Sequence, residues 1–326
     1  MRVLVWHVHG SWTNSFVQGV HDYVLPVTSS RGSEGRGRAR TWDWPGSARE
    51  VPVAQLRSEP IDVVVLQRPE EIDWCRRWTG RDPGLDLPAV FLEHNAPHEH
   101  AVSTRHLMGT ADWAPRGIRI VHVTHFNAMA WDNGEAPVSV IEHGIPDPGL
   151  RWTGEDASLA AVVNEPVRRW RVAGTDLLLD AAASVPTHVY GMGMPPLEEA
   201  AHRAGVRFAG LHDDLPQAQL LDELGQHRAY LHPYRWTSLG LALLEAMALG
   251  MPVLALASTE APRAVPREAG LASCDVAALL EQARQWMHDP SDAREHGLAA
   301  RAHVLEHYGL QRFLDDWDEL LKEVAS

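Results

Sequence analysis

The sequence predicts an α/β protein built from two parallel sheets in tandem. Three observations carry that prediction. Short aliphatic and β-branched runs recur along the 326-residue chain, several of them apolar at consecutive positions, as strands covered on both faces are. Amphipathic stretches separate these runs, and the whole rhythm restarts after the turn-rich segment GIPDP at 144–148. At roughly 100 to 200 residues per domain, the length also suits two domains.

In the first half the expected strands are 3–6, 63–66, 89–92, 118–123 and 138–141; in the second they are 161–163, 188–190, 206–208, 229–231 and 252–255. Helical segments fall between the later strands at 175–184, 197–204, 216–224 and 239–249. The last of these opens after Thr237 and Ser238, either of which can cap it, and closes at Gly250 before Pro252. Three more helices close the chain. In the final one Phe313, Leu314, Trp317, Leu320, Leu321 and Val324 recur at helical spacing, so one face must be buried against another element. The Gly-, Ser- and Arg-rich stretch 29–40 reads as a disordered surface loop, and no internal repeat is visible.

Composition narrows the function. Lys plus Arg is 29 against 43 for Asp plus Glu, a formal charge of −14 that repels polyanions, so nucleic acid is not an expected partner. The two cysteines, Cys75 and Cys274, have no CxxC or Cys/His spacing around them and read as reduced thiols of a cytoplasmic protein. The opening MRVLVWHVHG lacks the pattern of a secretion signal, and no apolar run is long enough for a transmembrane segment. Lys322 is the only lysine. Positive charge at any anion site must therefore come from arginine, histidine or helix dipoles.

The most informative window is 230–256, YLHPYRWTSLGLALLEAMALGMPVLAL. A buried strand runs into a short polar loop, and Thr237, Ser238, Leu239 and Gly240 then open an apolar helix whose one charge is Glu245. Backbone N–H groups at such a helix start suit an anion, and a glycine there lets a phosphate come close; an ordinary cap on an ordinary helix has the same look. Arg168, Arg169 and Arg171 cluster in NEPVRRWR, where guanidinium forks suit phosphate oxygens, although a solvated basic loop is the plainer alternative. Trp236 is placed to stack on a sugar or base. His94, His98 and His100, with Glu93 and Glu99, lack any metal-binding spacing, and no metal site is expected.

The run LGLALLEAMALGMPVLA resembles the signature of retaining, nucleotide-sugar-dependent glycosyltransferases of family four, which have the GT-B fold. Further matches follow in the family's order: Phe91 to Asn95 (FLEHN), Val121 to Asn127 (VHVTHFN), Val140 to Asp147 (VIEHGIPD) and AGTDLL from Ala173. The resemblance implies two Rossmann-like domains facing a cleft, an acceptor-binding domain at 1–148 and a nucleotide-sugar-binding domain at 149–308, with a final helix at 309–326 crossing back onto the first. It implies that Glu245 bonds the donor ribose and that Thr237 stands where many members carry a sugar-contacting Glu; a hydroxyl can hydrogen-bond a sugar but brings no charge.

In the family an Arg and a Lys neutralise the diphosphate. Ala173 fills the lysine place here, which passes the task to Arg168 and Arg171 first and Arg169 third. Ser238, Leu239 and Gly240 would offer backbone amides, Gly10 a donor-side loop, and His94 a ring facing the sugar. The implied activity is transfer of a sugar from a nucleotide-diphosphate sugar to an unidentified acceptor, with retention, without metal and without a cofactor. Two neighbouring readings stay open, a nucleotide-sugar epimerase on the same fold and a non-catalytic nucleotide-sugar-binding partner, the latter prompted by Thr237. A nicotinamide-dependent oxidoreductase is disfavoured, because no GxGxxG follows the first strand.

Overall fold

The computed structural model describes residues 1–98 and 100–326. It divides into two compact units, Met1–Gly144 together with Leu310–Ser326, and Ile145–Gly309. The change of unit comes four residues earlier than the expected 148/149 boundary. Ile145 donates its N–H to Tyr308 O at 3.0 Å, and Arg301 holds Asp147 through two 2.8 Å bonds, so the turn after Gly144 already belongs to the second unit.

The first unit contains β1 (Arg2–Val5), α1 (Gly10–Phe16), β2 (Asp22–Val27), β3 (Ala48–Pro52), β4 (Val63–Leu66), α2 (Glu70–Thr79), β5 (Ala89–Glu93), β6 (Arg119–His122), α3 (His125–Ala130) and β7 (Val138–Val140). The second contains β8 (Asp156–Val162), α4 (Pro166–Ala173), α5 (Thr175–Ser184), β9 (Thr187–Gly191), α6 (Met194–Arg203), β10 (Gly210–Asp213), α7 (Gln217–Leu224), β11 (His227–His232), α8 (Leu241–Leu249), β12 (Val253–Leu256), α9 (Ala261–Ala264), β13 (Gly270–Ser273), α10 (Val276–His288) and α11 (Pro290–His307). The last helix, α12 (Leu310–Ala325), belongs to the first unit.

Every strand pairing is parallel, in the orders β3-β2-β1-β4-β5-β6-β7 and β10-β9-β8-β11-β12-β13. The consecutive apolar residues of β1 explain why: Val3 and Val5 enter the core on one face of the sheet, Leu4 and Trp6 the core on the other. Strand order reverses between β1 and β4 in the first sheet and between β8 and β11 in the second. In open α/β sheets ligands bind outside the carboxyl ends of the strands at such points. α12 sets Phe313, Trp317, Leu320 and Leu321 into the β1 face that carries Val3 and Val5, where Trp317 meets Phe16 and Trp12 at ring distances of 5.1 and 5.7 Å.

Several expectations need correction. Residues 206–208 form no strand; Phe208 enters the core from a loop, and the strand follows at Gly210–Asp213. β2, β3 and β13 escaped notice because β2 contains Pro26, β3 is a charged edge strand and β13 is short and small-residued. The stretch 29–40 is not loose. Arg31 grips Glu50 through bonds of 2.7 and 2.9 Å, Arg38 reaches the carbonyls of Pro45 and Ala48, and Glu34 O accepts from Trp6 Nε1 at 3.0 Å. Its arginines, which made it look like a solvated segment, are what tie it down.

Candidate functional site

In the second unit the switch-point segments 164–174, which contain α4, and 233–240 are bonded to one another. Val172 O accepts from Arg235 N at 3.0 Å and Trp236 N at 3.4 Å. Gly174, at φ +72°, lies so close to β11 that a Cβ there would stand 1.9 Å from Pro233 O; only glycine allows both the left-handed turn and that approach. These contacts fix the arginine-bearing loop beside the start of α8.

α8 begins two residues later than expected. Gly240, extended at φ −73° and ψ 122°, is its N-cap, and no side chain caps it, so neither Thr237 nor Ser238 takes the expected role. Leu243 N already bonds Gly240 O, which leaves the N–H groups of Leu241 and Ala242 as the helix's anion-directed donors. Gly240 rests on His232: a Cβ would lie 2.7 Å from His232 Cε1. His232 is 2 % exposed, and burial pushes its pKa down to about 4. It is therefore a neutral floor to the loop at neutral pH. Ser238 is buried, with its carbonyl accepting from Thr259 Oγ1 at 3.3 Å, and the Leu239 side chain lies in the core. Thr237 is half-buried in the same loop.

The three arginines separate. Arg168 is exposed and stands 3.8 Å from Glu165. Arg171 is exposed and paired with Asp176, which Arg235 also holds at 2.5 and 2.9 Å. Partial burial opposes ionisation of Asp176, but the bonds from Arg235 and the charge of Arg171 hold its carboxyl below the usual range. Arg169 instead lies over the ring of Tyr234, 5.3 Å from its centroid, within the loop that leads to Gly240. Arg169 is thus the one set against the loop that leads to α8, while Arg168 and Arg171 are turned to carboxylates and solvent. The kink at Trp170, φ 24° within α4, is the local cause, since it breaks the helical spacing between Arg169 and Arg171.

Glu245 is half-buried on α8 and accepts from Gln217 Nε2 at 3.0 Å; burial raises its pKa. Sequence reasoning missed Gln217 as the partner of this carboxylate, as it missed His232, Tyr234, Arg235 and Asp176. Nothing in the spacing of Gln217 or Asp176 pairs them with residues 28 and 59 positions away.

The first unit holds the remaining expected residues. His94 follows β5, its Nε2 is 2.8 Å from Gln67 Oε1, and its ring lies 4.1 Å from His9 and 5.3 Å from Trp12. Gln67 spends its amide on Trp6 O at 2.7 Å, so its oxygen accepts and His94 Nε2–H donates. Burial keeps His94 well below its ordinary pKa, as a neutral, oriented imidazole. Gly10 is the first residue of α1, but a Cβ there would meet the Trp42 ring at 2.6 Å. The Trp42 indole fills the space on that side of Gly10.

Among the histidines weighed for a metal, Glu93 accepts from Asn95 N and faces His106, and His94 turns to Gln67, while Glu99 lies outside the described residues. A different group, Asp156, His188 and His227, brings one possible ligand atom from each within 4.8 Å of the others. No sequence motif marked it, because the three residues come from three strands.

Comparison with known proteins agrees with this fold. Residues 167–289 match the family described as "Glycosyl transferases group 1". The chain is 27 % identical over 282 residues to the lipopolysaccharide core biosynthesis mannosyltransferase LpsB of Rhizobium meliloti (strain 1021), covering 75 % of this chain and 77 % of that protein. Among solved structures it is similar to sucrose-phosphate synthase from Thermosynechococcus elongatus, with a TM-score of 0.72, 13 % identity and 99 % of each chain covered. It is similar also to Anabaena Alr3699/HepE in complex with UDP, with a TM-score of 0.72, 14 % identity, and 99 % and 100 % covered. The chain is a glycosyltransferase of the GT-B fold, and the group 1 glycosyltransferase domain lies in its second unit.

Proposed function

We propose that the second unit binds a nucleotide-diphosphate sugar and that the chain transfers its sugar to an acceptor with retention of configuration. The observation that carries this reading is the start of α8: a nine-residue helix whose N-cap is Gly240, free of any capping side chain, after a loop whose Tyr234 ring carries Arg169. As the glycosidic bond breaks, negative charge grows on the leaving diphosphate. The N–H groups of Leu241 and Ala242 and the Arg169 guanidinium would stabilise that charge more in the transition state than before it. Such donors do the work a divalent ion does elsewhere, so the transfer is read as metal-independent and without a cofactor. Glu245, held by Gln217, is assigned to the donor ribose, and Thr237 offers the sugar a hydroxyl. His94, oriented by Gln67, is assigned to the sugar side in the first unit.

The solved relative Alr3699/HepE was captured with UDP and with UDP-glucose, which supports a uridine donor as the first to try. LpsB is by its name a mannosyltransferase of lipopolysaccharide core, which supports a hexose. The cytoplasm suits the two free thiols of Cys75 and Cys274, and no helix among the described residues is long and apolar enough to cross a membrane. Thr237 in place of a carboxylate is the one observation favouring a nucleotide-sugar-binding partner without turnover.

The test is a thermal-shift series with UDP, GDP, ADP and dTDP, followed by product analysis with the stabilising nucleotide's sugars. One nucleoside diphosphate should raise Tm, the rise should largely vanish in Glu245→Ala, and a glycosylated product should appear only with acceptor present. A sugar epimerised or hydrolysed with donor alone would favour the epimerase reading, and binding without turnover the partner reading. Wild-type nucleotide affinity in Glu245→Ala would remove the ribose assignment.

A further inference from the structure

At the opposite ends of the second unit's strands lies a group of side chains that this transfer does not use. Asp156 opens β8, His188 is the second residue of β9, and His227 opens β11; β9 and β11 are the two neighbours of β8. His227 and His232 stand at the two ends of β11, so at about 3.3 Å per residue the group is roughly 17 Å from the α8 start. Asp156 Oδ2 lies 3.3 Å from His227 Nδ1 and 3.7 Å from His188 Nε2.

The hydrogen bonds behind these atoms allow a tautomer in which both rings turn a lone pair to Asp156. His212 directs Nδ1 at Glu223 Oε2, 3.5 Å away, so a proton there leaves its Nε2 to accept from His188 Nδ1–H at 3.1 Å. Neutral His188 then presents the Nε2 lone pair to Asp156. Along the other branch Tyr190 Oη lies 2.7 Å from His227 Nε2, and when this oxygen accepts Nε2–H, neutral His227 presents its Nδ1 lone pair to Asp156 and to the Ser158 hydroxyl, 2.7 Å away. In that tautomer two imidazole lone pairs and a carboxylate converge, an arrangement that a bound cation satisfies.

We propose that Asp156, His188 and His227 bind a divalent transition ion of the zinc type, with water or Ser158 Oγ in the fourth position, and that Glu223, His212 and Tyr190 orient the ligands. Bonds of roughly 2.0–2.2 Å in a tetrahedron place ligand atoms about 3.4 Å apart, which both measured separations meet to within about 0.3 Å. Nitrogen and carboxylate donors without thiolate suit zinc or cobalt, and the outer hydrogen bonds are those that ligating histidines ordinarily carry. Asp156 is about half exposed, which gives the ion an entrance. By tying β8, β9 and β11 at their amino ends, the ion would hold the sheet that carries the donor loops without touching them.

The experiment uses the untagged, full chain, stripped with EDTA and dialysed. Zinc titration should end at one equivalent and raise Tm by about 5 °C or more at saturation. Cobalt should give the visible absorption of tetrahedral coordination. Asp156→Asn and His188→Ala, checked for native circular dichroism, should each lose the equivalent and the shift, and Glu223→Gln should bind about tenfold or more weakly. Sugar transfer by the stripped wild type should be unchanged, so the metal proposal and the transferase reading fail separately. Absence of saturable uptake by the wild type, or an undiminished equivalent in Asp156→Asn and His188→Ala, would overturn the site and leave a proton as the bridging cation.

Discussion

Among the three clustered arginines, the proposed function gives the largest part to Arg169. Arg169 stands over Tyr234 in the loop leading to Gly240, whereas Arg171 is paired with Asp176 and Arg168 lies exposed 3.8 Å from Glu165. Removal of one preorganised donor to a developing anion costs about 10²–10³ in kcat. Arg169→Ala should show a loss of that order, with Arg168→Ala and Arg171→Ala within a few-fold of the wild type, as measured by steady-state kinetics at saturating donor. Equal losses in all three would mean that the cluster acts as a diffuse basic patch. The order of importance could not be read from RRWR itself. Three arginines in four residues are equivalent on paper, and the kink at Trp170 together with the carboxylates of Glu165 and Asp176 separates them.

At the scale of elements, α12 shows how a legible pattern leaves its partner unstated. The 3.6-residue spacing of its apolar side chains required burial, and the structure supplies the first sheet, where Trp317 packs among Trp12, Phe16 and Phe313 at 2 % exposure. Trp317→Ala deletes that side chain from a close-packed cluster and should cost about 3–5 kcal/mol. Guanidinium unfolding followed by far-UV circular dichroism would read it as a lower midpoint; an unchanged midpoint would mean that the helix adds little to the first unit. α8 teaches the complementary point. Its apolar composition announced a buried helix, but the cap fell on Gly240 because His232 fills the space beneath it, a contact made through the fold rather than along the chain.

For the molecule as a whole, buried histidines set the response to acid. His122, His143 and His232 are each held down to about 4 by burial, against about 6.5 in an unfolded chain. Between these values the unfolded chain binds more protons than the folded one, so stability is full above about pH 6.5 and falls as pH drops toward 4. Each histidine contributes a slope of up to about 1.4 kcal/mol per pH unit. Glu71, raised to about 7 by burial despite Arg68, works the other way, as does Glu245, but three groups outweigh two. Calorimetry from pH 7 to pH 4.5 should therefore show Tm falling throughout, and a flat profile would contradict the neutral burial of these rings. The sequence by itself determined the two parallel sheets, an apolar helix expected at 239–249 and the glycosyltransferase resemblance, because hydrophobic periodicity and a contiguous motif are local properties of a chain. The tertiary structure alone decided which arginine lies over Tyr234 in the loop before α8, which amide holds Glu245, and that Asp156, His188 and His227 meet. Those outcomes depend on parallel strands bringing distant residues side by side, and local spacing does not encode the register that does so.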